Sequence, residues 1–448
     1  MLGTFLTRII PTAGVFCLLA PGAGHADETP APPSSVSATR PADWGRLDPW
    51  KKTLTAEEWR EALNQRYAPH DTADGLIDVG GDALYTRLQT NDSIHYYALV
   101  LRDPAQPRPT APPGARYWRT RAELPPISDG LPLAGLRIAL DPGHLGGPWA
   151  DMEERSFSVK GEPPVHEGDL TLQVALLLKP RLEALGATVL LVRDRTEPVT
   201  TDTPASLRPT ATTAYLARFT PDHPAPPPGD AAREHDITKL AELLFYRTSE
   251  ILARARRVND TLHPDLVVCL HFNGTDLPDP QNPTLVPQQH FHVMVNGAYA
   301  RTELENDDER LEMLERIADG AGEEELAAAR EMTEAAVPIF DLPPFTYNGT
   351  NAVALGAHGY LWGRNLLANR LYRCPVVYFE PYVMNSAEGY ARIQAGDYAG
   401  TREFNGHERQ NIFAEYVEAV TAGLVNYYGG RPVAPTEPVQ NIPNARPR

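Results

Sequence analysis

An α/β fold is what the sequence predicts: a mixed, mostly parallel sheet with helices on both faces, joined to a small amino-terminal α+β region. Three observations predict it. From about residue 134 onward, short apolar runs of strand character alternate with amphipathic helical periods, the pattern of a sheet flanked by helices. Upstream, one helix signal and two strand-like runs stand apart, ahead of a Pro-rich stretch. At 448 residues the chain also exceeds a typical single domain, so a main domain with an accessory region is expected.

The elements follow in order. Arg8 supplies a positive start, residues 9–20 are apolar but too few to span a bilayer, and Gly24 and Ala26 suit a peptidase cut before Asp27. Residues 1–26 are therefore expected to be an export signal, delivering the protein to the periplasm or beyond with no membrane span left; the other reading is a short membrane anchor. Cys17 lacks the preceding small residue of a lipoprotein signal. Cleavage would leave Cys269 and Cys374, both in apolar strand-like runs, from which neither a disulfide framework nor a Cys-based metal site can be built. Residues 27–44, rich in Pro, Ser, Thr and Ala, read as a flexible linker.

Residues 45–102 form the small accessory region. There Thr55 and Glu58 have capping-box spacing, opening a helix through about Tyr67, and strands are expected at 83–88 and 96–101. A Pro-rich linker, 103–133, leads to the main domain, 134–430. Its first strand is 136–140. A helix follows with Leu170, Val174, Leu177, Leu178, Leu182 and Leu185 on one face and Gly186 as its stop. Pro180 inside it should kink or split it. Strands are expected at 188–192, 266–270, 291–295 and 375–379, and a last helix at 411–427 with Phe413, Tyr416, Val420 and Leu424 inward. Insertions lie at 197–235 and 275–289. An acidic helical segment, 302–335, falls between the last two functional strands, placed either to form a lid with the insertions or to be a solvated excursion. The tail, 431–448, is expected to be disordered.

The net charge of −17 repels phosphate backbones and argues against a nucleic-acid partner. Chemistry is concentrated where strands end. Asp141-Pro142-Gly143-His144 closes the first strand, His271 closes the strand at 266–270, Glu380 closes that at 375–379, and Glu167 opens the first long helix. In open α/β sheets, ligands collect outside the carboxyl ends of the strands. Two imidazoles and a carboxylate at one rim are the donor set of a catalytic zinc, and a further, non-ligating carboxylate is what such a site needs for proton transfer. Each residue alone has a bland alternative. A strand-end His is more often a hydrogen-bonded structural residue, Glu167 suits a helix N-terminus, and Glu380 could be a solvated loop side chain. The conjunction favours the zinc reading.

At these residues the sequence resembles the zinc-dependent N-acetylmuramoyl-L-alanine amidases of the type-3 group. The string ending in Asp141-Pro142-Gly143-His144 is similar to that family's opening strand and first zinc ligand. Glu167-Gly168-Asp169-Leu170 resembles the segment whose Glu is the second ligand, and the strand ending in Arg193 resembles the next one. Arg257-Val258-Asn259, with Asp265 through Asn273, resembles the segment bearing the third ligand, His271. Residues 375–380, with Asn385 beyond, resemble the segment with the catalytic Glu. The resemblance spans about 134–428 in order. It implies Zn2+ on His144, Glu167 and His271, Glu380 as general base and acid, and Asn273 as a substrate-binding or structural residue, with Arg193 structural. It also implies peptidoglycan or muropeptide as substrate, cut between the lactyl group of N-acetylmuramic acid and L-alanine. Any regulatory protein is left unnamed by it.

The chain departs from the family in places. Cys269-Leu270-His271-Phe272-Asn273 replaces a Ser-Ile-His-Ala-Asn string, and Pro381-Tyr382-Val383-Met384 follows Glu380 instead of a Gly-Phe turn. The loop between His144 and Glu167 is long and carries Glu153, Glu154 and Glu162 as rival ligands; Glu167 is preferred because it immediately precedes the amphipathic helix. Two other functions compete. A metallocarboxypeptidase would share the donor set but needs an Arg clamp for a terminal carboxylate, for which Arg364 and Arg370 are available. A degenerate, peptidoglycan-binding homologue would have lost part of the set. No His-Glu-x-x-His string of a zincin protease and no phosphate-cradling Gly loop occurs.

Overall fold

Caps and stops written into the sequence set the boundaries of the elements. A computed structural model describes residues 42–88, 94–112, 114–127, 130–159, 161–275 and 284–431. The expected export signal, residues 27–41 of the expected linker, and 432–448 of the expected tail lie outside these. No helix among the described residues is long and apolar enough to cross a membrane.

In the amino-terminal module, α1 (Ala56–Ala62) opens on the expected capping box. Glu58 N donates to Thr55 Oγ1 at 3.2 Å and Thr55 N to Glu58 Oε2 at 2.6 Å. The helix continues as a π turn through Tyr67. Then β1 (Ile77–Val79), β2 (Ala83–Leu88) and β3 (His95–Val100) form an antiparallel sheet in that order. β1, at three residues, is too short for its alternation to register in the sequence.

The main unit begins with β4 (Arg137–Pro142), then α2 (Pro148–Met152), the small hairpin of β5 (Ser156–Phe157) and β6 (Val165–His166), α3 (Glu167–Glu183) and β7 (Thr188–Leu191). The first insertion is a helical hairpin, α4 (Pro204–Leu216) and α5 (Ala231–Leu243), running through a π turn into α6 (Glu250–Arg257). After β8 (Leu266–Leu270) and β9 (Phe291–Val295) come α7 (Arg301–Leu304), α8 (Asp307–Ala318) and α9 (Ala321–Phe340). β10 (Val353–Ala354), β11 (Leu361–Gly363), α10 (Leu367–Leu371), β12 (Val376–Pro381), α11 (Ala387–Gln394) and α12 (Ile412–Gly429) complete it.

Seven strands form one mixed sheet in the order β10-β11-β9-β12-β8-β4-β7. It is parallel at β11–β9, β12–β8, β8–β4 and β4–β7, and antiparallel at β12–β9 and β10–β11. Helices cover both faces. On one, Leu170, Val174, Leu178 and Leu182 of α3, Met332 and Ala336 of α9, and Tyr416, Val420 and Leu424 of α12 close over Ile138, Leu140, Val268, Val293 and Phe379. On the other, Ala255, Val258 and Ala368 pack with Ala139, Val267, Cys269, Met294 and Tyr378. The fold class read from the sequence is the one found.

Two local expectations are corrected. Leu177 is 37 % exposed and not part of the inward stripe of α3. α3 also runs unbroken through Pro180. That proline stands in the last turn, and the carbonyl it leaves without a donor belongs to Leu176, which is 50 % exposed and open to water. Gly186, at φ +99°, is the stop, with Ala187 N donating to Leu182 O at 3.2 Å.

The acidic segment 302–335 is not a lid. α8 shares a core with the amino-terminal module: Leu311, Leu314 and Ile317 pack with Leu47, Trp50, Trp59 and Leu84. Arg316 of α8 donates to the carbonyls of Tyr372 at 2.5 Å and Cys374 at 3.2 Å, just ahead of β12, so this assembly sits at the rim opposite the one where Glu380 emerges. α9 lies flat on the sheet. The Pro-rich stretch is seated as well, with Trp118 only 2 % exposed and Arg119 paired to Asp265 at 2.7 Å.

Candidate metal centre

Parallel pairing decides which side chains can meet. β4, β8 and β12 are neighbours running the same way, so each releases its last residues at one rim. His144 follows β4 by two residues, His271 follows β8 directly, and Glu380 lies near the end of β12. α3 starts at that rim with Glu167.

The carboxylate of Glu167 stands between the two imidazoles. Its Oε1 lies 3.4 Å from His144 Nε2 and 3.4 Å from His271 Nδ1 and accepts from Phe272 N at 3.1 Å. Among the described residues, these three are the group of His, Cys, Asp or Glu whose ligand atoms all fall within 4.8 Å of one another. Zinc bonds of about 2.0–2.2 Å in a tetrahedron set neighbouring donor atoms about 3.3–3.5 Å apart, so both 3.4 Å spacings fit that ion. Glu167 is 2 % exposed, while the His144 and His271 side chains keep 18 % and 16 %. The site is thus closed beneath and open on the imidazole side, where water or substrate would enter.

The three side chains act on one another's charge. Burial pushes the Glu167 carboxyl up, but His144, His271 and Arg155 more than offset it and hold it below its ordinary value. Burial pushes the His271 imidazole down, and Glu380 and Glu167 outweigh that, so it sits above its ordinary value. Glu380 does not join the ligand group. Its Oε1 lies 3.8 Å from His271 Nδ1, with 15 % of the side chain exposed.

No protein-family model matches the chain, and no curated protein matches it. The structure is similar to solved structures of several amidases. The apo N-acetylmuramyl-L-alanine amidase Ami1 of Mycobacterium abscessus is 19 % identical, covering 66 % of this chain and 99 % of its own, at a TM-score of 0.35. Ami1 of Mycobacterium smegmatis is 16 % identical over 67 % and 99 %, at 0.36. The N-acetylmuramoyl-L-alanine amidase AmiC2 of Nostoc punctiforme is 14 % identical over 65 % and 96 %, at 0.31. Superpositions this loose transfer no residue role to this chain.

The rival acids separate cleanly. Glu154 and Glu162 are exposed; Glu153 is buried, but on the far side of the His144 ring, 3.5 Å from Nδ1. Asn273 is 2 % exposed and its Nδ2 donates to the Glu380 carbonyl, a contact that positions β12. Asn385 likewise ties the β8 and β12 exits together, donating to Thr275 O at 2.8 Å and accepting from Thr275 N at 2.9 Å. Arg193 is buried under the site, donating to the carbonyls of Gly143 at 3.3 Å and Gly168 at 2.8 Å. Burial and the neighbouring Arg254 push it down to about 10, which still leaves it charged at neutral pH.

Sequence reasoning missed several supports. His144 is in the left-handed region at φ +57°, and Arg254 of α6 holds its carbonyl at 2.9 Å while pairing with Asp141 at 2.8 Å and Glu250 at 2.7 Å. Tyr372 completes that buried set, donating to Asp141 at 2.6 Å. From α12, the Tyr416 hydroxyl donates toward His271 O and Phe379 O, both at 3.1 Å, pinning the ends of β8 and β12 together. His292 of β9 faces Glu380 in register. Its Nε2 lies 2.9 Å from the Tyr347 hydroxyl, and burial first, with His290 and Arg364, keeps the imidazole well below its ordinary value and neutral.

Proposed function

We propose that this chain is a zinc-dependent N-acetylmuramoyl-L-alanine amidase, exported to act on peptidoglycan or muropeptides. One observation carries the reading: His144, Glu167 and His271 bring their ligand atoms within 4.8 Å of one another, with Glu380 beside them. The segments that meet there are the ones whose sequence resembles type-3 amidases. A zinc ion held by these three would supply Lewis acidity, making water acidic near neutral pH and stabilising negative charge on a carbonyl oxygen.

The chain's own residues do the rest. Glu167, buried and aimed by the Phe272 amide, keeps the two imidazoles in one orientation. Glu380 accepts the proton of the attacking water as its oxygen bonds to the lactyl carbonyl carbon. When the C–N bond breaks, Glu380 returns that proton to the departing alanine nitrogen. The products are a lactyl carboxyl group and a free amine. Asn273 holds the Glu380 backbone, so its part is positioning. The carboxypeptidase alternative loses its clamp. Arg370 is engaged by Glu309 and by Glu312 at 2.9 Å, and Arg364 is 7 % exposed with its guanidinium 5.1 Å over Tyr347.

Digestion of purified peptidoglycan with and without a chelator, read by mass spectrometry, tests the bond. The expected products are peptide-free muramic acid and peptides with a free alanine amine, both abolished by chelation. Cleavage at another amide, or none from zinc-loaded protein, would overturn the reading.

A further inference from the structure

The long loop between His144 and Glu167 has a purpose that the ligands alone do not explain. We propose that it delivers Glu153 as the outer partner of His144, a positioning carboxylate that fixes the ring's tautomer and heading so that Nε2 is presented to the metal. The inference rests on the metal-centre reading above.

The loop is built to bury this one acid. Gly147, at φ +54°, turns the chain into α2, Pro148 starts the helix, and Ala150 is fully buried. Glu153 then stands at the helix C-cap, 8 % exposed. A buried carboxylate is costly unless it is partnered. Glu153 has two partners: its Oε2 accepts from Leu145 N at 2.7 Å and lies 3.5 Å from His144 Nδ1. The other acids of the loop, Glu154 and Glu162, are exposed and offer no such contact.

The chemistry of the ring completes the case. A neutral imidazole has one N–H, and a metal needs the lone pair of the other nitrogen. With Nε2 turned toward Glu167, the proton belongs on Nδ1, where Glu153 is the acceptor facing it. Backbone contacts already fix the Cα: Arg254 holds the carbonyl at 2.9 Å and φ is +57°. What remains free is rotation of the side chain and exchange of tautomers, and the Glu153 carboxylate restrains both. His271 needs no such partner. It turns Nδ1 to the metal position, and its ring stacks on Tyr378 at 5.3 Å.

Outer partners of this kind are worth about 10–100-fold in metal affinity. Zinc titration of the full metal-free chain against a competing chelator should show that loss for Glu153→Ala, while Glu153→Gln, which keeps an acceptor oxygen, stays much closer to wild type. Nitrogen-correlated NMR of the His144 ring should report the Nδ1–H tautomer in the wild-type chain and a mixture in Glu153→Ala, a change that a purely structural role would not produce. Wild-type zinc affinity or an unchanged tautomer in folded Glu153→Ala overturns the inference and leaves the metal centre standing. Failure of the wild-type chain to bind zinc removes the metal centre itself. Should circular dichroism show Glu153→Ala unfolded, Glu153→Leu, which fills the space without an acceptor oxygen, decides: a mixture of tautomers supports Glu153 as the orienting group, and an unchanged Nδ1–H tautomer overturns it.

Discussion

At the scale of single residues, the site is held by what is small as much as by what is charged. A Cβ added at Gly143 would stand 2.6 Å from both ring nitrogens of His271, and one at Gly168 would meet the Leu145 carbonyl. Gly143→Ala must therefore displace the ring. Because displacement by about 1 Å at a reacting centre costs on the order of 100-fold, turnover should fall by about that much while the melting curve stays near wild type. Retained turnover in a steady-state assay would show that the ring has room to move. Glu380→Gln tests chemistry without sterics: zinc should remain bound stoichiometrically while turnover drops about 10²–10⁴-fold. Loss of zinc along with activity would make Glu380 a ligand instead. Tyr382 shows how a local rule can be broken. It takes φ +60° where the resemblance expects a glycine-bearing turn, and its hydroxyl donates to Glu415 at 2.8 Å while Arg392 lies 5.1 Å over its ring. Burial of a large ring with both partners satisfied offsets the left-handed strain. The four candidate residues were legible because His144, His271 and Glu380 stand where short apolar runs end and Glu167 opens an apolar helical period, each a signal within a few residues of itself. Their supports were not. Arg254 lies 110 residues from the His144 carbonyl it holds, and Tyr416 lies 145 from His271. No periodicity links such pairs; only the packing of α6 and α12 on the paired β4, β8 and β12 brings them together.

At the scale of elements, legibility followed length and regularity. α12 and the central strands were plain because their apolar periods are uninterrupted, whereas β1, β10 and β11 have two or three residues each and no period to show. The 302–335 segment misled for a physical reason. Its acids suggest solvent, yet α8 turns Glu309, at 6 % exposure, into the interface with Arg370. One guanidinium serves both Glu309 and Glu312 and cannot fully compensate either. Burial, only partly offset by Arg370, pushes the Glu309 carboxyl up to about 7. An acid whose folded value is raised binds more protons folded than unfolded. Its stabilising contribution is therefore complete below about pH 4.5 and is lost as pH rises through about 7. Thermal midpoints should fall between pH 5 and pH 8, and Glu309→Gln, which mimics the protonated carboxyl, should flatten that slope while leaving stability at pH 5 near wild type. A slope unaltered by the substitution would place the titration elsewhere.

At the scale of the whole molecule, the sheet separates two tasks. One rim carries the candidate metal group; the other is covered by the amino-terminal module and α8, whose apolar residues form one core. Arg66 fastens them through Glu325, which is fully buried and also paired with Arg316 at 2.7 Å. Removing residues 42–102 would bare Leu311, Leu314 and Ile317 and strand Glu325 without one of its cations. Such a truncation should give aggregated protein by size exclusion, since large bared apolar patches associate and a half-paired buried charge costs about 3–5 kcal/mol. A monomeric, cooperatively melting truncation would show the module to be dispensable. Placing the chemistry on the border of a sheet has its own outcome. On the proposed function, a site at such a border, unlike one in the mouth of a barrel, would let a net-like polymer wider than the protein lie across it with no free end to thread. Scission would then fall anywhere along such a substrate, and a time course of digestion should show fragments of mixed size from its first moments.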